Sequence, residues 1–269
     1  MVLPTSSPTA FCKAFIEREL KSNKQGHIWM SFWPVMERMI ERSNELTPVF
    51  DELIGKFGYS DKFDGYPPNN SYIWLTLECI WMSINFCKKD VVQVRLDLKE
   101  LNTLQEEIVE LSERLALALR RHDKVYELSG FKKSDYQTAV DMIELASEDN
   151  HLYQNYVSDK IQSLLGQFDL KYWPTRADVV ESIASFESRQ PSPNHSELPE
   201  NVLKGRASDI KDFVLAFDNS FNGFNDLPSG FRFSNNALAD IINVILDLPS
   251  DRLATGDAIR IVRNRHNEN

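Results

Sequence analysis

A chain of 269 residues that is 42% apolar and 26% charged has ordinary globular composition, not the charge-rich, apolar-poor composition of a disordered chain. Its 30 Lys and Arg against 40 Asp and Glu leave a net charge of -10, which opposes general attraction to nucleic acid or an anionic membrane and confines any polyanion site to a local patch. Three scattered cysteines, Cys12, Cys79 and Cys87, are too few for a disulfide framework and suit a reducing, cytoplasmic setting. The start, Met1-Val-Leu-Pro-Thr-Ser-Ser-Pro, has neither the basic nor the apolar segment of a signal peptide.

Glycine is scarce, and apolar residues recur near the 3.6 period through most of the chain, so the sequence predicts an all-α fold. The expected architecture is a multi-helix bundle with one long amphipathic helix and a small C-terminal helical subdomain. The first helix is expected over Ala10 to Ser22. A second starts near Pro34, with Trp29, Phe32, Trp33, Met36, Met39 and Ile40 as its apolar set. Thr47-Pro48 reads as an N-cap followed by a first-turn proline, and Gly58 as the stop. Tyr59 to Asn70, with Gly65, Pro67 and Pro68, reads as a loop.

Ser71 to Cys87 reads as a buried apolar helix with Trp74 and Trp81 on one face. Its most apolar stretch, Tyr72 to Phe86, is shorter than the roughly 20 residues a membrane span requires and carries Glu78. The tryptophans Trp29, Trp33, Trp74 and Trp81 are assigned to the core.

The clearest periodicity runs from Val94 to Ala118. Val94, Leu101, Ile108 and Leu115 occupy one heptad position and Leu104, Leu111 and Ala118 the other, a coiled-coil pattern of about three heptads interrupted by Asp97 and His122. Packing within the chain is the default expectation for that seam, and pairing between subunits the alternative. Later helix starts are read at Ser134 to Gln137 and at Thr175 to Asp178, with one amphipathic helix over Leu152 to Phe168 between them. Residues 188–207 have the Pro- and Ser-rich composition of a linker. They divide a bundle over 1–187 from a subdomain over 208–269 that is too small for an independent core and so is expected to dock on the main body. In that subdomain helices are expected over Ser208 to Phe217, Ser234 to Leu248 and Ala258 to Arg265.

No complete catalytic constellation is present. There is no phosphate-binding glycine loop and no nucleophile elbow, nothing calls for a cofactor, and no two histidines have metal-ligand spacing. Glu144, Glu148 and His151 give a single Glu-x-x-His string, which reads as a solvated helix end because di-metal bundles need a second copy. Near the C-terminus, Arg260, Arg263, Arg265 and His266 form the sharpest basic cluster, readable as a phosphate-contacting tail or as cations complementing a helix dipole. Arg260 and His266 have an Arg-x5-His spacing that resembles, over seven residues, that of helical HEPN ribonucleases. The resemblance implies an arginine and a histidine acting on the scissile phosphate and 2′-hydroxyl, although Ile261 stands where those enzymes usually carry a polar residue. Arg120-Arg121-His122 is a second basic string, read as a solvated face.

Phe217, Phe221, Phe224, Phe231 and Phe233 crowd a loop-rich stretch, either as core beneath a long loop or as a partner surface. The leading expectation is a non-enzymatic helical interaction or assembly subunit. It would engage a protein partner or a second copy through Leu101, Leu104, Ile108, Leu111 and Leu115, with Phe221, Phe224 and Phe231 as further candidates. A nucleic-acid-binding or ribonuclease role for the C-terminal cluster is the alternative.

Overall fold

Thirteen α-helices and no strand form among the residues described, which are 3–59, 72–133, 137–164, 167–223 and 230–267 of a computed structural model. The all-α expectation is met, and each departure in detail has a local cause. Helix α1 (Pro8–Gly26) starts before Ala10 because the Ser7 hydroxyl accepts from the Ala10 amide at 3.2 Å and Pro8 occupies the first turn. It closes on His27 in the left-handed conformation, φ 52°. Helix α2 (Trp33–Glu41) begins beside Pro34 as the spacing predicts. In α3 (Thr47–Phe57) Thr47 lies inside the helix, and its hydroxyl donates to the Asn44 carbonyl at 2.9 Å instead of capping; Gly58, at φ 71°, is the stop. The loop read at Tyr59 to Asn70 lies, after Tyr59, outside the described residues.

The apolar α4 (Tyr72–Met82) tightens into a 3-10 turn at Ser83–Phe86, and extended Cys87 separates it from α5 (Lys88–Ser129). At 42 residues α5 runs well past both ends of its heptad pattern. Thr138 and Asp141 form the capping box of α6 (Ala139–Ala146), while the start read at Ser134 falls outside the described residues. The single helix read over Leu152 to Phe168 is two short ones, α7 (His151–Tyr156) and α8 (Ser158–Gln162), because Val157 leaves helical geometry at φ -123°. The Thr175–Asp178 box opens α9 (Arg176–Glu187) as read. The stretch read as linker contains one helical turn, α10 (Glu200–Leu203), and is followed by α11 (Asp209–Gly223), α12 (Asn235–Ile245) and α13 (Gly256–Asn267). No described helix is long and apolar enough to cross a membrane.

The chain divides into two compact units, Met1–Asp97 with Asn194–Asn269, and Leu98–Pro193. This differs from the division read at 188–207. The small C-terminal helical part docks on the main body as expected: Phe213, Phe217, Leu238, Ile241 and Ile245 join one buried core with Phe15, Met36, Phe50, Leu53, Ile80 and Trp81. Helices α11 and α12 carry too much apolar surface to hide within about sixty residues, and the core is closed by segments from both ends of the sequence.

Directed polar contacts fix that closure. Arg38 donates to the Ile245 carbonyl at 2.7 Å, and Arg42 pairs with Asp247 at 2.9 Å, so one cation of α2 and one just after its end meet the carbonyl end of α12, where its dipole is negative. Asn243 bonds both the amide and the carbonyl of Ala254, at 2.7 and 3.1 Å, which draws the start of α13 against α12. The approach is so close that a β-carbon at Gly256 would stand 1.9 Å from the Asn236 side-chain oxygen. Fully buried Asp212 accepts from Arg95 at 2.9 Å and from the Ser208 amide at 2.9 Å, while Arg95 also donates to the Val202 carbonyl at 2.9 Å. One buried ion pair thus joins the beginning of α5 to α10 and α11.

The tryptophans do not all belong to the core. Trp81 is fully buried, and Trp33 and Trp74 pack against the core from its edge. Trp29 is exposed, because it stands at φ 54° at the start of a 3-10 turn; its ring centroid lies 6.4 Å from that of Trp74. The Trp74 indole donates to Glu19 at 3.2 Å. Burial, with the Glu19 carboxylate adding, pushes the Glu78 carboxyl up to about 7. A carboxyl raised in the folded state costs nothing while both states are protonated, below its ordinary value. The cost develops as pH rises and is complete above the folded value. Glu78→Gln is therefore expected to leave stability nearly unchanged near about pH 4 and to raise it by roughly 1–2 kcal/mol near about pH 8, after discount for solvent contact. Denaturant unfolding at the two pH values checks this; an equal effect at both would contradict it.

Candidate interaction surface

The unit Leu98–Pro193 is built on the long part of α5. Helix α9 runs antiparallel to it: Gln105 donates to the Glu187 carbonyl at 2.7 Å, and Arg120 pairs with Glu181 at 2.5 Å and Asp178 at 3.3 Å. Further along, Asp123 accepts from Lys133 and, at 3.3 Å, from Arg176. Hydrogen bonding from Lys133, aided by His122 and Arg176, holds the Asp123 carboxyl below its ordinary range. These contacts engage the side of α5 that carries Leu98, Gln105, Val109, Ser112, Ala116 and Leu119, residues that recur at helical spacing and are its less exposed ones.

The heptad seam lies on a different side. Val94, the first member of the row, packs against the core, but Leu101, Leu104, Ile108, Leu111 and Leu115 are all 40–51% exposed, so over these five the default expectation of packing within the chain is not met. The seam and the packed face lie about 90° apart round the helix. On the packed side Gln105 makes a polar tie to α9, and the residues of α5 that this unit buries, Ser112 and Ala116, are small. Among its described residues this unit buries Ser112, Ala116, Val140, Ser158, Ala177 and Ala184, and none larger than valine. Elsewhere in it, Ile183 and Phe186 of α9 are also exposed.

The other candidates are placed differently. Phe221 is buried, packed on Phe217 at a centroid separation of 4.7 Å. Phe231 is partly buried, 4.9 Å from Phe57 and 5.1 Å from Phe233. These rings plug the core, so Phe221 and Phe231 are not an open partner surface. Phe224 lies outside the described residues.

In the C-terminal cluster Arg263 points inward. It is 7% exposed, grips Asp218 through two bonds of 2.7 and 2.9 Å, and donates to the Phe233 carbonyl at 2.9 Å and to Asn235 at 2.8 Å. Reading Arg263 as a phosphate contact is corrected by these partners, which occupy both terminal nitrogens and Nε. Arg260 pairs with Asp257 at 2.9 Å, and the His266 ring lies 2.9 Å from the Asn201 amide. Arg265 is exposed on the same helix. Arg260 and His266, six residues apart, stand about 120° apart round α13. Sequence could not reveal Asp218, the acceptor that turns Arg263 inward, because it lies on another helix and has no motif around it.

Glu144, from the metal-like string, accepts from Tyr153 at 2.5 Å and from Ser158 and Gln162 at 3.0 Å, fastening α6 to α7 and α8. Among the described residues no group of three His, Cys, Asp or Glu is placed to hold a metal. Burial pushes the Cys12 and Cys79 thiols up to about 12, which makes both poor nucleophiles.

Breaking a buried pair on one side strands the remaining charge. Arg263→Ala is therefore expected to lose about 3–5 kcal/mol in denaturant unfolding; unchanged stability would return this arginine to the surface reading. No family model, curated protein or solved structure matches the chain.

Proposed function

We propose that this protein is a helical interaction and assembly subunit whose binding surface is the leucine seam of α5. The observation that carries the reading is the exposure of five large aliphatic side chains in a continuous heptad row on a helix that is tied to α9 along a different side. Isolated exposed leucines are ordinary, but a contiguous apolar row is a surface that association covers. Over Leu101 to Leu115 the row is about 20 Å long, and covering each side chain would stabilise an assembly by roughly 1 kcal/mol. The cationic C-terminal helix supports the alternative less well, since Arg263 is built into the core and Arg260 is already paired.

A seam of this kind contributes to association without contributing to the fold of the free chain. The triple variant Leu104→Gln, Ile108→Gln, Leu111→Gln, which retains good helix formers, is expected to unfold within about 1 kcal/mol of the parent in dilute solution. In the same dilute solution the parent is expected to bind an apolar fluorescent dye, and the variant to lose that binding. A loss of several kcal/mol would make the seam a folding core and end the proposal.

A further inference from the structure

Resting on that reading, we infer that the seam binds a second copy of this chain, with the two α5 helices antiparallel and centred between Ile108 and Leu111. Coiled-coil partners are chosen by the charges that flank the seam as well as by its apolar residues. The flanking position just before each first heptad residue carries Glu100 and Glu107 in the first half of the row and Arg114 and Arg121 in the second. All four are exposed, on the side of α5 away from its contacts with α9. Of the four, Arg114 makes a weak surface contact with Glu110 at 3.4 Å, both about 70% exposed.

In an antiparallel pair this flank meets itself. Centring the helices between Ile108 and Leu111 stacks Ile108 on Leu111, Leu104 on Leu115 and Leu101 on Ala118 of the second copy. The same alignment puts Glu107 beside Arg114 and Glu100 beside Arg121, and by symmetry each pair occurs twice. It also sets Asp97 opposite His122, so the two polar interruptions of the repeat fall in one layer. A parallel pair loses all of this. There the flank would face the row of Gln105, Ser112 and Leu119, which carries no charge and of which Gln105 is bonded to the Glu187 carbonyl and Ser112 is buried. Antiparallel pairing leaves that occupied side out of the charged contact and matches every flanking charge with its opposite.

Sedimentation equilibrium on the full-length protein tests the register. The parent is expected to be a dimer of the 31.0 kDa chain, weakened severalfold in about 1 M salt. Glu107→Arg and Arg114→Glu, each placing like charges together at two symmetric points, should each weaken the dimer at least about tenfold. Combining the two substitutions restores opposite charges and should return the affinity to within about threefold of the parent. A dimer indifferent to all three variants, or one that the combination fails to rescue, overturns the register. A chain that stays monomeric at about 100 µM overturns the second copy as partner. It leaves the interaction reading to the dye-binding and stability result of the glutamine variant, so the two failures are distinguishable.

Discussion

A large aliphatic side chain held in water carries a free-energy cost that folding ordinarily removes by turning it inward. Over the central turns of α5 that removal does not happen, and the reading of the protein turns on this. The helix has two apolar-capable sides. The one α9 engages offers Gln105, Ser112 and Ala116, while the leucines are left in solvent. A fold that ties α9 to α5 through a backbone acceptor and ion pairs leaves these aliphatic side chains available for something else.

The unit Met1–Asp97 with Asn194–Asn269 follows the opposite rule. It encloses a continuous core of large apolar side chains, and the charges it buries are matched: Asp212 by Arg95, Asp218 by Arg263, and the carbonyl end of α12 by Arg38 and Arg42. Matched buried charges contribute little net stability against apolar replacements, but they penalise any arrangement that separates them. Each joins segments far apart in sequence, which gives an all-helical core one arrangement among many similar packings. The exception is Glu78, whose neighbour is another carboxylate, Glu19.

Helix content was legible in the sequence because periodicity, caps and stops are local. Pro34, Gly58 and the Thr175–Asp178 box mark real boundaries. Legibility failed where a single residue altered the path, as at Val157, and where partners are remote in sequence. The proline-rich stretch at 188–207 looks like a linker by composition, yet Leu198 and Val202 within it are buried in the core. The heptad row was plain in the sequence, but which side of α5 its neighbours would take depended on Gln105 reaching the Glu187 carbonyl, a contact with no local signature. The arginines of α13 were equally plain. Whether they faced solvent depended on Asp218 and on the Phe233 carbonyl.

The most direct measurement is the distance between spin labels on two copies of the full-length chain. The label goes on Lys99→Cys, an exposed position off the seam, in a Cys87→Ser background that leaves only the buried Cys12 and Cys79. Antiparallel helices centred between Ile108 and Leu111 separate the two labels by about 30 Å along the axis, giving a distance of roughly 30–40 Å. A distance below about 20 Å, the width of two helices side by side, or the absence of any coupling between copies would contradict the account.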